Sequence, residues 1–143
     1  MPGSALRVAS RPHKLDRADA APLSFPDPRP SVVSGPYGYA IAGARCTACG
    51  HPNATTAPRC PRCGGEAAAA LFGPAGTIWA TTTIHVASGN RAAPYTLAYV
   101  DLDEGPRVLA HVLDGPRLAP RVAQRVRLIA RTDNGDPQVE VAR

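Results

Sequence analysis

The chain has 143 residues, four cysteines and a formal net charge of +5. That length suits one ordinary domain or two very small ones, and four cysteines are too few for a disulfide-held scaffold of this size. No apolar run approaches a membrane span and the first residues lack the apolar stretch of a secretory signal, so the chain reads as cytoplasmic with no membrane partner. The positive charge raises nucleic acid as a partner, but its distribution argues against it. Residues 1–40 carry five basic and three acidic side chains, residues 41–76 three and one, and residues 77–143 eight and seven. The C-terminal half is thus close to neutral, without the basic field that a phosphate backbone usually meets.

Residues 1–36 are rich in Pro, Ala, Ser and charge. Pro22, Pro26, Pro28 and Pro30 oppose helix and favour extended backbone. This stretch reads as a Pro-rich leader or as a docking arm with Leu23 and Phe25 as apolar anchors.

Residues 37–72 contain the cysteines, as Cys46-Thr-Ala-Cys49-Gly50 and Cys60-Pro-Arg-Cys63-Gly64. Two cysteines three apart grip one ion from a tight turn. A glycine after the second lets the chain reverse with positive φ while amides point at the sulfurs. Two such knuckles predict a rubredoxin-like zinc ribbon, with Cys46, Cys49, Cys60 and Cys63 as the ligands of one structural zinc. An iron centre or a pair of disulfides would use the same cysteines. His51, inside the loop, reads as a solvated residue rather than a fifth donor.

Residues 73–143 read as five short strands: Thr77–Val86, Pro94–Leu102, Arg107–Leu113, Val122–Arg131 and Gln138–Ala142. Turns rich in Gly, Asp, Asn and Pro separate the later strands. In the first strand, strict alternation would put Ile78, Ala80, Thr82, Ile84 and Val86 on one face and Trp79 with His85 on the other. Five antiparallel strands in so short a span suit a closed barrel, of which the OB-fold is the commonest five-stranded form. An Ig-like or SH3-like barrel has the same strand count. The expected core is Ile78, Ile84, Val100, Leu102, Val108, Val112, Val126, Leu128, Val139 and Val141. It is small enough that packing against the ribbon is expected.

The order of these parts resembles a known family. CTACG and CPRCG are followed by GTIWATTTIHV, APYTLAYVDLDEG and PRVLAHV, with Gly73, Gly76, Thr83, His85, Pro94, Tyr95, Leu102, Glu104 and Gly105 in the family's characteristic places. Over residues 37–142 the chain resembles the zinc-ribbon/OB-fold acyl-CoA-associated proteins, catalogued as domain of unknown function thirty-five. The resemblance implies a non-catalytic accessory subunit of a thiolase-like, ketoacyl-synthase-like or hydratase-like enzyme, helping to bind the acyl-CoA thioester. Many relatives open with an amphipathic helix where this chain has prolines.

Under that reading His85, Arg91 and Tyr95 are the candidate CoA contacts, His85 and Arg91 through phosphate or pantetheine groups. A strand-end hydrogen bond for His85 and a solvated loop position for Arg91 are the plainer alternatives. Tyr95 and Tyr99 share a strand face with Leu97 and could form an aromatic platform with Trp79. The other function such parts serve is single-stranded nucleic-acid binding. No nucleophile elbow or paired-carboxylate framework is evident in the sequence.

Overall fold

The computed structural model describes residues 27–143. Leu23 and Phe25 lie outside the described residues. An N-terminal sheet is built from β1 (Ser31–Gly35), β2 (Gly38–Cys46), β3 (Pro52–Asn53) and β4 (Ala67–Phe72). Strand β2 is its centre. It pairs antiparallel with β1 and then β3 along one edge and with β4 along the other.

Strand β1 falls inside the stretch read from sequence as the Pro-rich leader. Ser31-Val-Val-Ser-Gly is a short strand between Pro30 and Pro36, and its hairpin turn places Gly35 opposite Gly38. The prolines that end it hid it, because only Val32 is buried.

The rest of the chain is a closed barrel of β5 (Ala75–Ile84), β6 (Tyr95–Leu102), β7 (Arg107–Val112), β8 (Arg125–Arg131) and β9 (Pro137–Val141), in the order β5-β6-β7-β9-β8. All its pairings are antiparallel except β7 with β9. Numbered from its first strand, the barrel runs 1-2-3-5-4, which is the OB-fold closure and decides between the barrels of equal strand count. A one-turn helix, α1 (Gly115–Leu118), lies in the Pro-bounded connection between β7 and β8.

The strict alternation expected along the first barrel strand fails at one residue. The pairing of β5 with β6 shifts between Ile78 and Ala80, so Trp79 is an extra residue in a β-bulge. A bulge reverses the inward and outward sense of the residues after it. Thr81 and Thr83 therefore sit opposite buried Ala98 and Thr96. Thr83 and Thr96 hydroxyls bond at 2.9 Å, and Thr81 donates to the Leu97 carbonyl. Ile84 is only partly buried, and His85 and Val86 fall beyond the strand, exposed. A second shift, between Leu128 and Ala130, bends β8 in the same way.

The two parts share one core. Val32, Ile41 and Phe72 from the sheet join Ile78, Val100, Leu102, Val108, Val112, Val126, Leu128 and Val139 from the barrel in a single cluster, with Val141 partly buried against it. Each fully buried aliphatic or aromatic side chain there contributes about 1.5–3 kcal/mol. Arg45 reinforces the join, donating to the Gly50 and Glu104 carbonyls from opposite sides of it.

Candidate functional site

The cysteine cluster is assembled by two turns of the same construction. Strand β2 ends at Cys46, and the Gly50 amide returns to the Cys46 carbonyl at 3.0 Å; the Gly64 amide returns to the Cys60 carbonyl at 2.9 Å. Gly50 and Gly64 take φ of 73° and 74°, the left-handed conformation that favours glycine. The Cys49 amide points at Cys46 Sγ and the Arg62 amide at Cys60 Sγ, each at 3.4 Å. Thr47 binds the Glu66 carbonyl through both its amide and its hydroxyl, tying the first turn to the entry of β4.

The four sulfurs lie within 4.8 Å of one another. Cys46 and Cys63 are 3.5 Å apart and Cys49 and Cys60 3.7 Å. A tetrahedral thiolate site with metal–sulfur bonds near 2.3 Å has sulfur–sulfur edges of about 3.8 Å. The residues therefore fit a metal ion. The charge balance agrees. Amide bonding, chiefly from Cys49, lowers the Cys46 thiol to about 6. The Gly65 amide acts to lower Cys63, but the adjoining Cys49 and Cys46 sulfurs outweigh it and push Cys63 up to about 12. Four sulfurs this close cannot all ionise unless a cation sits between them. With four protein donors the site has no open position and can hold structure. His51 is outside the cluster, as expected of a loop residue.

The sequence-derived CoA contacts separate. Arg91 and Tyr95 come together, the guanidinium 5.2 Å from the ring centre. His85 stands exposed at the other end of the loop joining β5 to β6 and is not among the residues lining the hollow beside them. In its place are two residues the sequence did not single out. His111, on β7, lies 5.9 Å from the Tyr95 ring, and its Nε2 is 3.7 Å from Asp136. Asp136, in the turn before β9, also holds Arg91 and Arg29 at 3.1 Å each. Burial, and then the Arg91 charge, push the His111 pKa down, against the opposing pull of Asp136. Nothing in the sequence marks the cluster, because its outermost members, Arg29 and Asp136, are 107 residues apart.

Three arginines on the outer surface of the barrel are also partnered. Arg125 chelates Asp103 and bonds the Thr77 hydroxyl. Arg127 donates to the Tyr37 carbonyl at 2.8 Å. Arg107 binds Asp101 through two nitrogens, at 2.6 and 3.0 Å. The expected aromatic platform forms in part: Trp79 and Tyr99 meet edge to face at 6.3 Å, while Tyr95 joins the His111 cluster.

Known proteins share this architecture. Residues 70–131 match the family model described as "ChsH2, C-terminal OB-fold domain". A curated relative, a DUF35 domain-containing scaffold protein of Methanocaldococcus jannaschii, is 31% identical over 81 residues, covering 53% of this chain and 57% of that protein. The chain thus spans little over half the length of that relative. A solved structure described as an Ltp2-ChsH2(DUF35) aldolase superposes with a TM-score of 0.58 at 23% identity, covering 73% of this chain and 86% of that one, which shows a common fold. Over residues 70–131 the chain is therefore similar to the ChsH2 C-terminal OB-fold family.

Proposed function

We propose that this protein is a non-catalytic accessory subunit of an acyl-CoA-processing enzyme, of thiolase-like, ketoacyl-synthase-like or hydratase-like type. The observation that carries the reading is the family match to the barrel, joined through one core to a four-cysteine sheet. Relatives named as a scaffold protein and as part of an aldolase assembly support it.

In this reading the cysteines bind one zinc, which supplies a rigid crosslink between the two turns and no reaction chemistry. Cysteines that hold a metal rather than pair as disulfides suit a reducing cytoplasm. Of the stretch 1–36, the part that precedes β1 serves as the docking arm, since Ser31–Gly35 belongs to the sheet. His85, Arg91 and Tyr95 contact the CoA portion, with the Arg91–Tyr95 stack as the ordered part of that surface. Single-stranded nucleic-acid binding is the weaker reading, since Arg107, Arg125 and Arg91 are each already matched to a carboxylate.

The test is affinity purification of the tagged full-length chain from its native cells, with mass spectrometry of the proteins that accompany it. Stoichiometric recovery of a thiolase-like, ketoacyl-synthase-like or hydratase-like subunit is expected. Recovery of single-stranded nucleic acid and no such enzyme would overturn the reading.

A further inference from the structure

Among the described residues, one broad face of the barrel is uncovered. The N-terminal sheet packs near the start of β8 and the β6–β7 turn: a Cβ on Gly38 would meet Arg127, and one on Gly105 would meet Phe72. The outer surface of β5, β6 and β7 has no such cover among the described residues. Its rows are set by the register. Ala80 pairs with Tyr99 and Tyr99 with Leu109; Thr82 pairs with Leu97 and Leu97 with His111. Trp79, which the bulge adds to the strand, is 53% exposed at one end, beside exposed Tyr99 and Leu109. Ala80, Thr81, Thr82, Leu97, Tyr99 and Leu109 line a shallow hollow of about 320 Å³, enough for one or two aliphatic side chains.

The charges on this face show what kind of surface it fits. The Arg107 guanidinium lies over Trp79, 3.8 Å from the ring centre. It is held there by its two bonds to Asp101. That arrangement covers one side of the only tryptophan in the chain and uses up the nearest cation. At the far end Arg91 is bound to Asp136. A phosphate backbone would have to displace a carboxylate at either end, and a base would find one indole face already occupied. An uncharged apolar surface meets neither obstacle. Trp, Tyr and Arg are also the residue types that dominate protein–protein contact energies. Arg107 is already fixed, so little side-chain entropy remains to be lost on contact. A solvent-facing cluster of this composition on a small protein marks an interaction site.

We propose that the face centred on Trp79, Tyr99 and Leu109 is the seat of the catalytic subunit, which inserts an uncharged aliphatic side chain into the hollow between Leu97, Tyr99 and Leu109. The assignment rests on the accessory-subunit reading and adds the surface through which the subunit acts.

The experiment labels the full-length chain with 5-fluorotryptophan, so that the single fluorine reports on Trp79 alone. The probe is the catalytic subunit that co-purifies with the wild-type chain, added unlabelled. A saturable shift of the fluorine resonance is expected, together with at least tenfold weaker binding by Leu109→Glu. Tyr37→Ser, a substitution at an exposed position in the turn between β1 and β2, should bind as wild type. An unmoved resonance at saturation would overturn the proposal while leaving the accessory function standing. A shift on self-dilution would overturn it in favour of a second copy, and a shift with an oligothymidylate in favour of nucleic acid. Recovery of no catalytic subunit at all would overturn both the function and this surface. The fluorine arm needs no substitution, so a failure of Leu109→Glu to fold leaves the test intact.

Discussion

Replacing Phe72 by alanine tests whether sheet and barrel are one folding unit. Phe72 ends β4, pairs with Ile41 and is 4% exposed. Its surroundings are close-packed. A Cβ on Gly43 would come within 3.0 Å of its ring and one on Gly105 within 3.1 Å of its Cβ, while the Arg45 guanidinium lies 5.3 Å from the ring centre. Because Gly43 and Gly105 are backbone without side chains, little can collapse into the space the ring leaves. The cost should therefore fall in the full range for buried Phe→Ala, about 3–5 kcal/mol. At a urea dependence of about 2 kcal/mol per molar, that lowers the unfolding midpoint by roughly 2 M. The assay follows urea unfolding by Trp79 fluorescence for the barrel and by metal release to a chromogenic chelator for the ribbon. Both traces should move together by the same amount. A barrel trace left at the wild-type midpoint, with metal release alone shifted, would refute the single-core argument.

The other expectations rest on individual contacts. Metal analysis of the purified protein should find about one zinc per chain, and Cys60→Ser should abolish it and unfold the N-terminal sheet, because metal binding and folding are coupled; full zinc retention by that variant would contradict the site. Gly76→Ala should destabilise by about 1–3 kcal/mol, since a methyl there meets the Asp101 carbonyl and Val100 at 2.7 Å; thermal unfolding checks it. His111 has a folded pKa depressed from 6.5, chiefly by burial, so the unfolded chain binds more protons below that pH. Its contribution to stability is present above pH 6.5 and is lost as pH falls toward the folded pKa. His111→Gln should flatten the stability profile in that window, as measured by urea midpoints at successive pH values.

The cysteine site was legible because its chemistry is local: two short motifs specify turns, ligands and glycine conformations without reference to the rest of the chain. The strands of the barrel were legible because Val, Ile and Leu recur with period two between turn residues. Trp79 shows where that reasoning stops. A bulge inserts one residue into a run of Ile, Ala, Trp and Thr whose alternation gives no sign of it, and only the partner strand reveals the slip. The same applies to β1, whose single buried Val32 gives too short a pattern to recognise between two prolines. The pairing of the arginines is hidden for another reason: Arg125, Arg127 and Arg131 are exposed, and the partners of Arg125 and Arg127 are 22 to 90 residues away in sequence, so their contacts are invisible before folding. The cluster of Arg91, Tyr95, His111 and Asp136 is a product of barrel closure, in which β7 meets β9 in parallel.

The central claim is that this chain assists an acyl-CoA enzyme without performing the reaction. The most direct test is reconstitution: the co-purified catalytic subunit is assayed on its acyl-CoA substrate alone, with this chain added, and against this chain by itself. The account predicts no turnover by this chain and a marked rise in turnover when the two are combined. Sustained turnover by the isolated chain, or a catalytic subunit indifferent to its addition, would contradict it.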